Sequence, residues 1–277
     1  MNGITSRRDF VKAMGLSIAS LALPGCSRIV KPSQSELSAK KPNIVFIMAD
    51  DMGYGDLGCY NKKSKIPTPN IDALAANGIR FSDAHSPSAV CTPTRYGVLT
   101  GRYCWRSRLK QGVLNGYSPA LIDTRRMTVA SLLKQHGYTT ACIGKWHLGL
   151  GSEKKADFSK PLVPGPNDIG FDYFYGIPAS LDMPPYCYVE NDHAVSNPTL
   201  TIEAGKSNED GWWRGGAISP GFKHKEVLPH LTKKAVEWIG ESAIKSPDKP
   251  LFLYFPLSGN VEPAAENTKR AAYPAIL

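Results

Sequence analysis

The sequence predicts an α/β fold in which a central, mostly parallel sheet is flanked by helices. Residues 43–49, NIVFIMA, form a continuous apolar run with β-branched residues. Such a run is typical of a strand that is buried on both faces of a parallel sheet. In three places along the chain, a segment of helical periodicity is followed by an extended apolar segment. This alternation indicates a sheet with helices packed on both faces.

The first helix is predicted between Thr68 and Gly78. Thr68 is a candidate N-cap, Pro69 suits the first helical position, and Gly78 supplies a C-terminal stop. Its apolar face is predicted to contain Ile71, Leu74 and Ala75, and residues 79–81 are predicted to begin the next extended segment.

The other two helices are each followed by a predicted strand. Residues 128–136 form the second helix, which Gly137 stops, and residues 138–143 form its strand. The third helix has apolar residues at helical spacing and precedes a buried strand at 251–255; these residues are Leu231, Ala235, Trp238 and Ile239. Residues 151–225 are rich in Pro, Gly and aromatic residues, so they are predicted to form long loops that shape substrate choice over one edge of the sheet.

The first 26 residues have the pattern of an export signal. Residues 6–12, SRRDFVK, resemble a twin-arginine signal, and a short apolar stretch follows at 13–23. The stretch ends on LPGC, which resembles a lipobox and predicts that Cys26 carries a membrane-anchoring lipid. An ordinary cleaved signal peptide is the alternative. Residues 27–41 are polar and aperiodic, as expected of a linker, so the folded region is predicted to begin at Pro42. These features predict a bacterial periplasmic protein or membrane-anchored lipoprotein.

Composition and charge narrow the function only slightly. The formal net charge is +9, which suits an anionic substrate. No basic run interleaved with aromatic residues is present, so nucleic-acid binding is not predicted. No Cys-x-x-Cys pair occurs among the six cysteines, which argues against a zinc site.

Residues 91–102, CTPTRYGVLTGR, carry the most specific pattern in the chain. They are similar to the sulfatase signature, Cys-x-Pro-Ser/Ala-Arg followed by Leu-Thr-Gly-Arg, with Thr94 in place of the usual Ser or Ala. The resemblance implies an alkaline phosphatase-like fold and conversion of Cys91 to formylglycine by a formylglycine-generating enzyme. A hydrated aldehyde offers one hydroxyl to attack sulfur and a second to expel sulfate. A sulfate ester is an anion, so the nucleophile needs surrounding cations and helix dipoles.

A second block, GYTTACIGKWH at 137–147, resembles the other sulfatase signature. The resemblance implies that Lys145 bridges the formylglycine and the sulfate. It also implies that His147 bonds the hydrated aldehyde and takes a proton, and that Arg95 holds the diol. Without the match, Lys145 and His147 would be interpreted as a solvated strand end.

Asp50 and Asp51 follow the first predicted strand and match the aspartates of the sulfatase calcium site. The resemblance therefore implies Ca²⁺ held by Asp50, Asp51 and Cys91 as its formylglycine. Adjacent carboxylates repel each other, and a hard divalent cation relieves that repulsion. An exposed turn is the alternative interpretation. Residues 170–176 and 182–186 also resemble family segments. Asp182, Asp192 and His193 are interpreted as solvated loop residues, and contact with the substrate is the alternative.

The resemblance covers residues 42–257, and residues 258–277 are predicted to be a non-matching tail. The family's Pro-His pair, later Asp-Asn pair and sulfate-binding lysine have no counterpart in that tail. A chain truncated before the C-terminal strands and subdomain is therefore expected. Three functions remain open: a sulfuric ester hydrolase acting on sulfated glycans, a phosphonate or phosphodiester hydrolase of the same superfamily, and a truncated, non-catalytic remnant.

Overall fold

The structure is a computed structural model that describes residues 41–207 and 211–259. Four α-helices occur in these residues: α1 (Pro69–Asn77), α2 (Cys91–Thr100), α3 (Val129–Gln135) and α4 (Val227–Lys245). The strands, in chain order, are β1 (Ile44–Met48), β2 (Thr139–Lys145), β3 (Tyr173–Ile177), β4 (Val189–Glu190), β5 (His193–Ala194), β6 (Leu200–Ile202), β7 (Gly205–Ser207), β8 (Gly211–Trp213), β9 (Gly216–Ile218) and β10 (Leu251–Pro256).

A six-stranded sheet of order β1-β10-β2-β3-β4-β5 forms the centre of the fold. The first four strands in this order are parallel, and β4 and β5 are antiparallel to their neighbours. Two small antiparallel pairs, β6 with β9 and β7 with β8, lie outside this sheet. The predicted α/β sheet of mostly parallel strands is confirmed.

Alternate residues of the central strands belong to two separate hydrophobic clusters. Cys142, Phe252 and Tyr254 belong to one cluster, whereas Ile143 and Leu253 belong to the other. Successive side chains of a strand point to opposite faces, so the two clusters lie on the two faces of the sheet. A strand buried on both faces must be apolar at every position, which explains the uninterrupted apolar run of β10.

The helices predicted before β2 and β10 are confirmed. Thr128 caps α3 by accepting a hydrogen bond from the backbone N–H of Ser131 at 3.0 Å. Gly137 follows the helix with a φ of 86°, a conformation that glycine adopts without strain. In α4, Leu231 and Ala235 are buried against the sheet, as their spacing predicts.

Burial of the first strand and helix was predicted wrongly. Within the described residues β1 pairs only with β10, and its Val45 and Ile47 side chains are 46% and 52% exposed. The helix α1 forms between the predicted residues, yet Leu74 on its apolar face is 71% exposed. A continuous apolar run predicts a strand correctly but does not reveal which neighbouring segments cover it.

Two further predictions of extended and loop structure were wrong. Residues 79–81 contain no strand. By contrast, the predicted loop region contains β3, a parallel strand of the central sheet whose Phe174 is fully buried. The run DYFYGI is short, and it does not stand out from the surrounding sequence, which is rich in Pro, Gly and aromatic residues.

Several sequence predictions lie outside the described residues. These are the export signal at 1–26 with Cys26, nearly all of the linker at 27–41, and the tail beyond Gly259. Among the described helices, none is long and apolar enough to cross a lipid bilayer.

Candidate active site

Polar groups follow the carboxyl ends of all four parallel strands. Asp50 lies two residues after β1, and Lys145 is the last residue of β2. Ser180 and Gly259 lie three residues after β3 and β10 respectively. Because the carboxyl ends of parallel strands meet at one edge of the sheet, four distant parts of the sequence converge there.

Cys91 is the first residue of α2 and lines a surface cleft at this edge. Val90 precedes it in an extended conformation and offers no side-chain cap to the helix. The first backbone N–H groups of α2 therefore stay available to a ligand, and the helix dipole favours an anion there. Cys91 is half-buried, and Asp50, Asp51 and Arg95 line the same cleft.

Lys145 connects the polar groups of the cleft. Its Nζ lies 2.8 Å from Asp50 Oδ2, 3.2 Å from Cys91 Sγ and 3.1 Å from Ser180 Oγ. These three partners match the three hydrogens of an ammonium group. The side chain is 1% exposed, so this cation is held in one place beside the thiol.

The backbone before Lys145 approaches β10 closely. Gly144 has a φ of 140°, and a Cβ at this position would lie 2.0 Å from the carbonyl oxygen of Pro256. Only glycine fits so near another backbone. In the second signature, Gly144 thus allows the close packing of two strands, and Lys145 contributes the charge beside Cys91.

Asp50 is the counter-charge of two buried cations. Besides Lys145, Arg95 approaches Asp50 Oδ1 with its Nη2 at 3.4 Å, and the arginine side chain is 1% exposed. The backbone N–H of Gly259 donates to Asp50 Oδ2 at 3.2 Å. Burial alone would raise the pKa of Asp50, but the attraction of Lys145 and then of Arg95 outweighs it and lowers the pKa to about 2. The carboxylate is therefore ionised at neutral pH.

His147 is fully buried and does not hydrogen-bond to Cys91 in this structure. Its Nε2 lies 2.7 Å from the carbonyl oxygen of Leu114. A carbonyl can only accept, so Nε2 carries the hydrogen. Burial, and next the charge of Lys145, lower the pKa of His147 to about 3, so the ring is neutral. Its Nδ1 is then an unprotonated acceptor, and within the described part of the chain it has no hydrogen-bond partner.

Thr92 fixes the segments that carry this histidine and its partner. The Thr92 hydroxyl donates to the carbonyl oxygen of His147 at 2.9 Å and accepts from the backbone N–H of Leu114 at 3.2 Å. His147 itself has a φ of 55°, an uncommon conformation for a residue other than glycine. The residue after Cys91 thus positions the histidine ring.

Asp50, Asp51 and Cys91 form the candidate metal site. One ligand atom from each residue lies within 4.8 Å of the others. Two carboxylates suit a hard divalent cation, whereas a thiol does not. Conversion of Cys91 to formylglycine would replace its sulfur with oxygen and give an all-oxygen set. The residues therefore fit a divalent metal together with the modified residue, and they supply part of the six to eight oxygens that calcium takes.

The structure brings together residues that the sequence did not reveal. Ser180 and the backbone N–H of Gly259 join the Lys145-Asp50 pair although neither belongs to a signature block. Asp182 was interpreted as solvated, but its side chain is only 14% exposed and is paired with Arg214. By contrast, Asp192 and His193 form an exposed pair with each other.

Comparison with known proteins identifies the family. The family model described as Sulfatase matches residues 42–274. The chain belongs to the sulfatase family. Sulfatases generally carry a formylglycine and a divalent metal, and the cleft of this chain offers Cys91 and two carboxylates for them.

Individual relatives agree with this assignment. The chain is 37% identical over 265 residues to the N-acetylgalactosamine-6-O-sulfatase of Bacteroides thetaiotaomicron, covering 84% of this chain and 50% of the relative. It is 47% identical over 147 residues to human arylsulfatase A, covering 53% of this chain and 27% of that protein. The sulfatase thus spans about half the length, or less, of these relatives.

A solved structure shares the fold. It comes from Bacteroides thetaiotaomicron and is described in work on the metabolism of multiple glycosaminoglycans. Its TM-score is 0.67 at 34% identity, over 79% of this chain and 51% of that one. The alkaline phosphatase-like fold is therefore confirmed. The family match runs to residue 274 and includes most of the segment after residue 257, where the sequence predicted a non-matching tail.

Proposed function

We propose that the chain is the catalytic region of a sulfuric ester hydrolase that acts on sulfated glycans. The observation that carries the proposal is the 3.2 Å distance between Lys145 Nζ and Cys91 Sγ at the start of a helix. A buried cation and uncapped backbone N–H groups beside one nucleophilic position suit attack on an anionic ester.

The nucleophile requires a modification of Cys91. Formylglycine, made from Cys91 by a formylglycine-generating enzyme, supplies a hydroxyl nucleophile that cysteine lacks. Pro93 and Arg95 stand at the positions of the recognition sequence, which supports this partner. Arg95 is held between Asp50 and the carbonyl oxygen of Lys145, so its charge stays next to residue 91.

Three side chains have proposed roles toward the substrate. Lys145 and Ser180 bind the sulfate oxygens, because Lys145 Nζ contacts both Cys91 Sγ and Ser180 Oγ. His147 accepts a proton at Nδ1, since that nitrogen is unprotonated and its Nε2 is engaged by Leu114. The first turn of α2 directs its N–H groups at the anion.

Calcium is the proposed metal, held by Asp50, Asp51 and residue 91. Both aspartates follow β1, and Asp51 has a φ of 55°, a turn conformation that aspartate tolerates better than most residues. A hard cation there adds positive charge for an anionic substrate.

The proposed substrate class comes from the relatives. The 37% identical relative is named for N-acetylgalactosamine 6-sulfate esters, and the matching solved structure concerns glycosaminoglycan metabolism. We therefore propose a sulfated sugar, with N-acetylgalactosamine 6-sulfate as the first compound to test.

Co-expression with a formylglycine-generating enzyme tests the proposal. Mass spectrometry of the peptide containing Cys91 should detect the aldehyde, and the chain should hydrolyse an aryl sulfate faster than an aryl phosphodiester. A faster rate for the diester would instead favour a phosphonate or phosphodiester hydrolase. A converted chain that hydrolyses neither ester with calcium present would favour the non-catalytic remnant.

We also propose export to the periplasm through the twin-arginine pattern, with a lipid on Cys26. The support is the sequence SRRDFVK followed by LPGC. Replacing Arg7 and Arg8 with lysine should leave the chain in the cytoplasm. Cys26→Ala should release the exported chain from the membrane fraction, whereas unchanged fractionation would favour the ordinary signal peptide.

A further inference from the structure

We propose that Asp182, Arg214 and Trp212 form a subsite for the sugar ring that carries the sulfate. This sugar subsite, defined by those three residues, rests on the proposed sulfatase function. It would make the site selective for a sugar sulfate over a bare sulfate anion.

The loop after β3 places the sugar subsite near the nucleophile. Ser180 contacts Lys145 Nζ, and the same Nζ contacts Cys91 Sγ. Asp182 is only two residues beyond Ser180, and two residues of chain span at most roughly 7 Å. The distance from the sulfate-binding groups to Asp182 is therefore comparable to the width of one sugar unit.

Arg214 is brought to Asp182 from a separate part of the sequence. Its guanidinium Nη1 donates to Asp182 Oδ2, and its backbone N–H donates to the Asp182 carbonyl oxygen at 3.1 Å. The buried Tyr186 hydroxyl lies 3.0 Å from the carbonyl oxygen of Asp182 and 2.7 Å from that of Arg214. The two backbones are thus fixed together, so the ion pair is held in a defined position rather than sampling the surface.

The guanidinium group has donors left for a ligand. Within residues 41–207 and 211–259, only Nη1 of Arg214 donates to a side chain or a carbonyl. The side chain is 47% exposed, so Nε and Nη2 can reach an incoming molecule. Asp182 neutralises the charge, and the pair therefore suits the hydroxyl and amide groups of a sugar better than a second sulfate.

Trp212 adds an apolar surface beside these donors. The guanidinium carbon of Arg214 lies 4.9 Å from the Trp212 ring centroid, which orients the indole. The indole remains 45% exposed, unlike the neighbouring Trp213, whose Nε1 donates to Glu203. A rigid aromatic ring next to a fork of donors matches a pyranose, which has an apolar face and a polar rim.

Binding measurements on an inactive chain separate the sugar subsite from the sulfate site. Isothermal titration of the Cys91→Ala chain with N-acetylgalactosamine 6-sulfate and with inorganic sulfate, calcium present, gives both affinities. Arg214→Ala and Trp212→Ala should each weaken sugar-sulfate binding by about tenfold and leave sulfate binding unchanged. Trp212→Phe should retain binding within about threefold because it keeps an aromatic ring. Lys245→Ala, which removes an exposed ion pair with Glu241 on α4, is the matched control and should change neither affinity.

The outcomes distinguish this inference from the function on which it rests. Equal losses of sugar-sulfate and sulfate binding in Arg214→Ala and Trp212→Ala would overturn the sugar subsite, as would unchanged affinities in both. Arg214→Lys keeps the positive charge but removes the planar set of guanidinium donors. If this variant folds normally and still binds the sugar sulfate with the parent affinity, the sugar subsite is also overturned. If the Cys91→Ala chain binds sulfate but binds the sugar sulfate no more tightly than sulfate, the sugar subsite is wrong and the proposed function stands. If it binds neither compound, the proposed function fails as well.

Discussion

Replacing Cys91 with alanine is expected to reduce hydrolysis of an aryl sulfate by on the order of 10⁴-fold or more. Alanine cannot be converted to formylglycine, so the cleft loses its nucleophile while Lys145 and Arg95 stay in place. Steady-state turnover of the purified, co-expressed chain measures the effect. Binding of inorganic sulfate should persist in the variant, because the cations and helix N–H groups that hold the anion are unchanged.

Cys59 provides the matched control for this prediction. It is a free, partly exposed cysteine like Cys91, but its backbone N–H bonds to Asp72 and it lies outside the cleft lining. Cys59→Ala should therefore hydrolyse the ester at the parent rate. Equal rates for Cys91→Ala and the parent chain would show that another group attacks sulfur.

The sequence predicted the fold where burial leaves a local pattern. β10 is apolar at every position because both of its faces are buried, and α3 has a capping residue and a glycine stop. β3 was missed because it is only five residues long and lies in a region rich in Pro, Gly and aromatic residues. The exposure of Val45 and Ile47 could not be predicted from the sequence either, because a strand covered on both faces would contain the same apolar residues.

The site was predictable to the extent that its residues sit in contiguous signatures. Asp50, Cys91 and Lys145 were each found this way, and the structure brings all three into contact. Ser180 and Gly259 contribute single groups after strand ends, and a lone serine or glycine carries no pattern of its own. Their roles depend on the convergence of four parallel strands, which only the folded chain shows.

The ionic network also could not be inferred from spacing. The sequence assigned Asp50 to a metal, Lys145 to the formylglycine and the sulfate, and Arg95 to the formylglycine diol. The structure adds that the carboxylate pairs with both cations. One ionised carboxylate between two cations leaves this group of three with a net positive charge. The excess positive charge suits a sulfate anion. Asp50 stabilises the two cations in their buried positions without cancelling all of their charge, so part of that charge is left to attract a substrate.

Replacing Asp50 with alanine is expected to lower the free energy of unfolding by about 3–5 kcal/mol, because two buried cations lose their counter-charge. Lys145 and Arg95 are each only 1% exposed, so water cannot replace the carboxylate without rearrangement. Asp50→Asn keeps the shape and some hydrogen bonds, and it should fall between alanine and the parent. Urea unfolding at neutral pH in the presence of a chelator measures this effect separately from metal binding.

The pH dependence and a surface control make the prediction specific. The folded-state pKa of Asp50 is lowered to about 2 from 3.8, so its stabilisation is complete above the ordinary value and is lost as the pH falls through about 2. That part of the acid destabilisation should vanish in Asp50→Ala. Asp123→Ala breaks an exposed pair with Arg125, and its urea midpoint should stay near the parent value because water solvates both groups. If Asp50→Ala unfolded at the same urea concentration as Asp123→Ala, Lys145 and Arg95 would have another counter-charge, and Asp50 would be free to serve the metal alone.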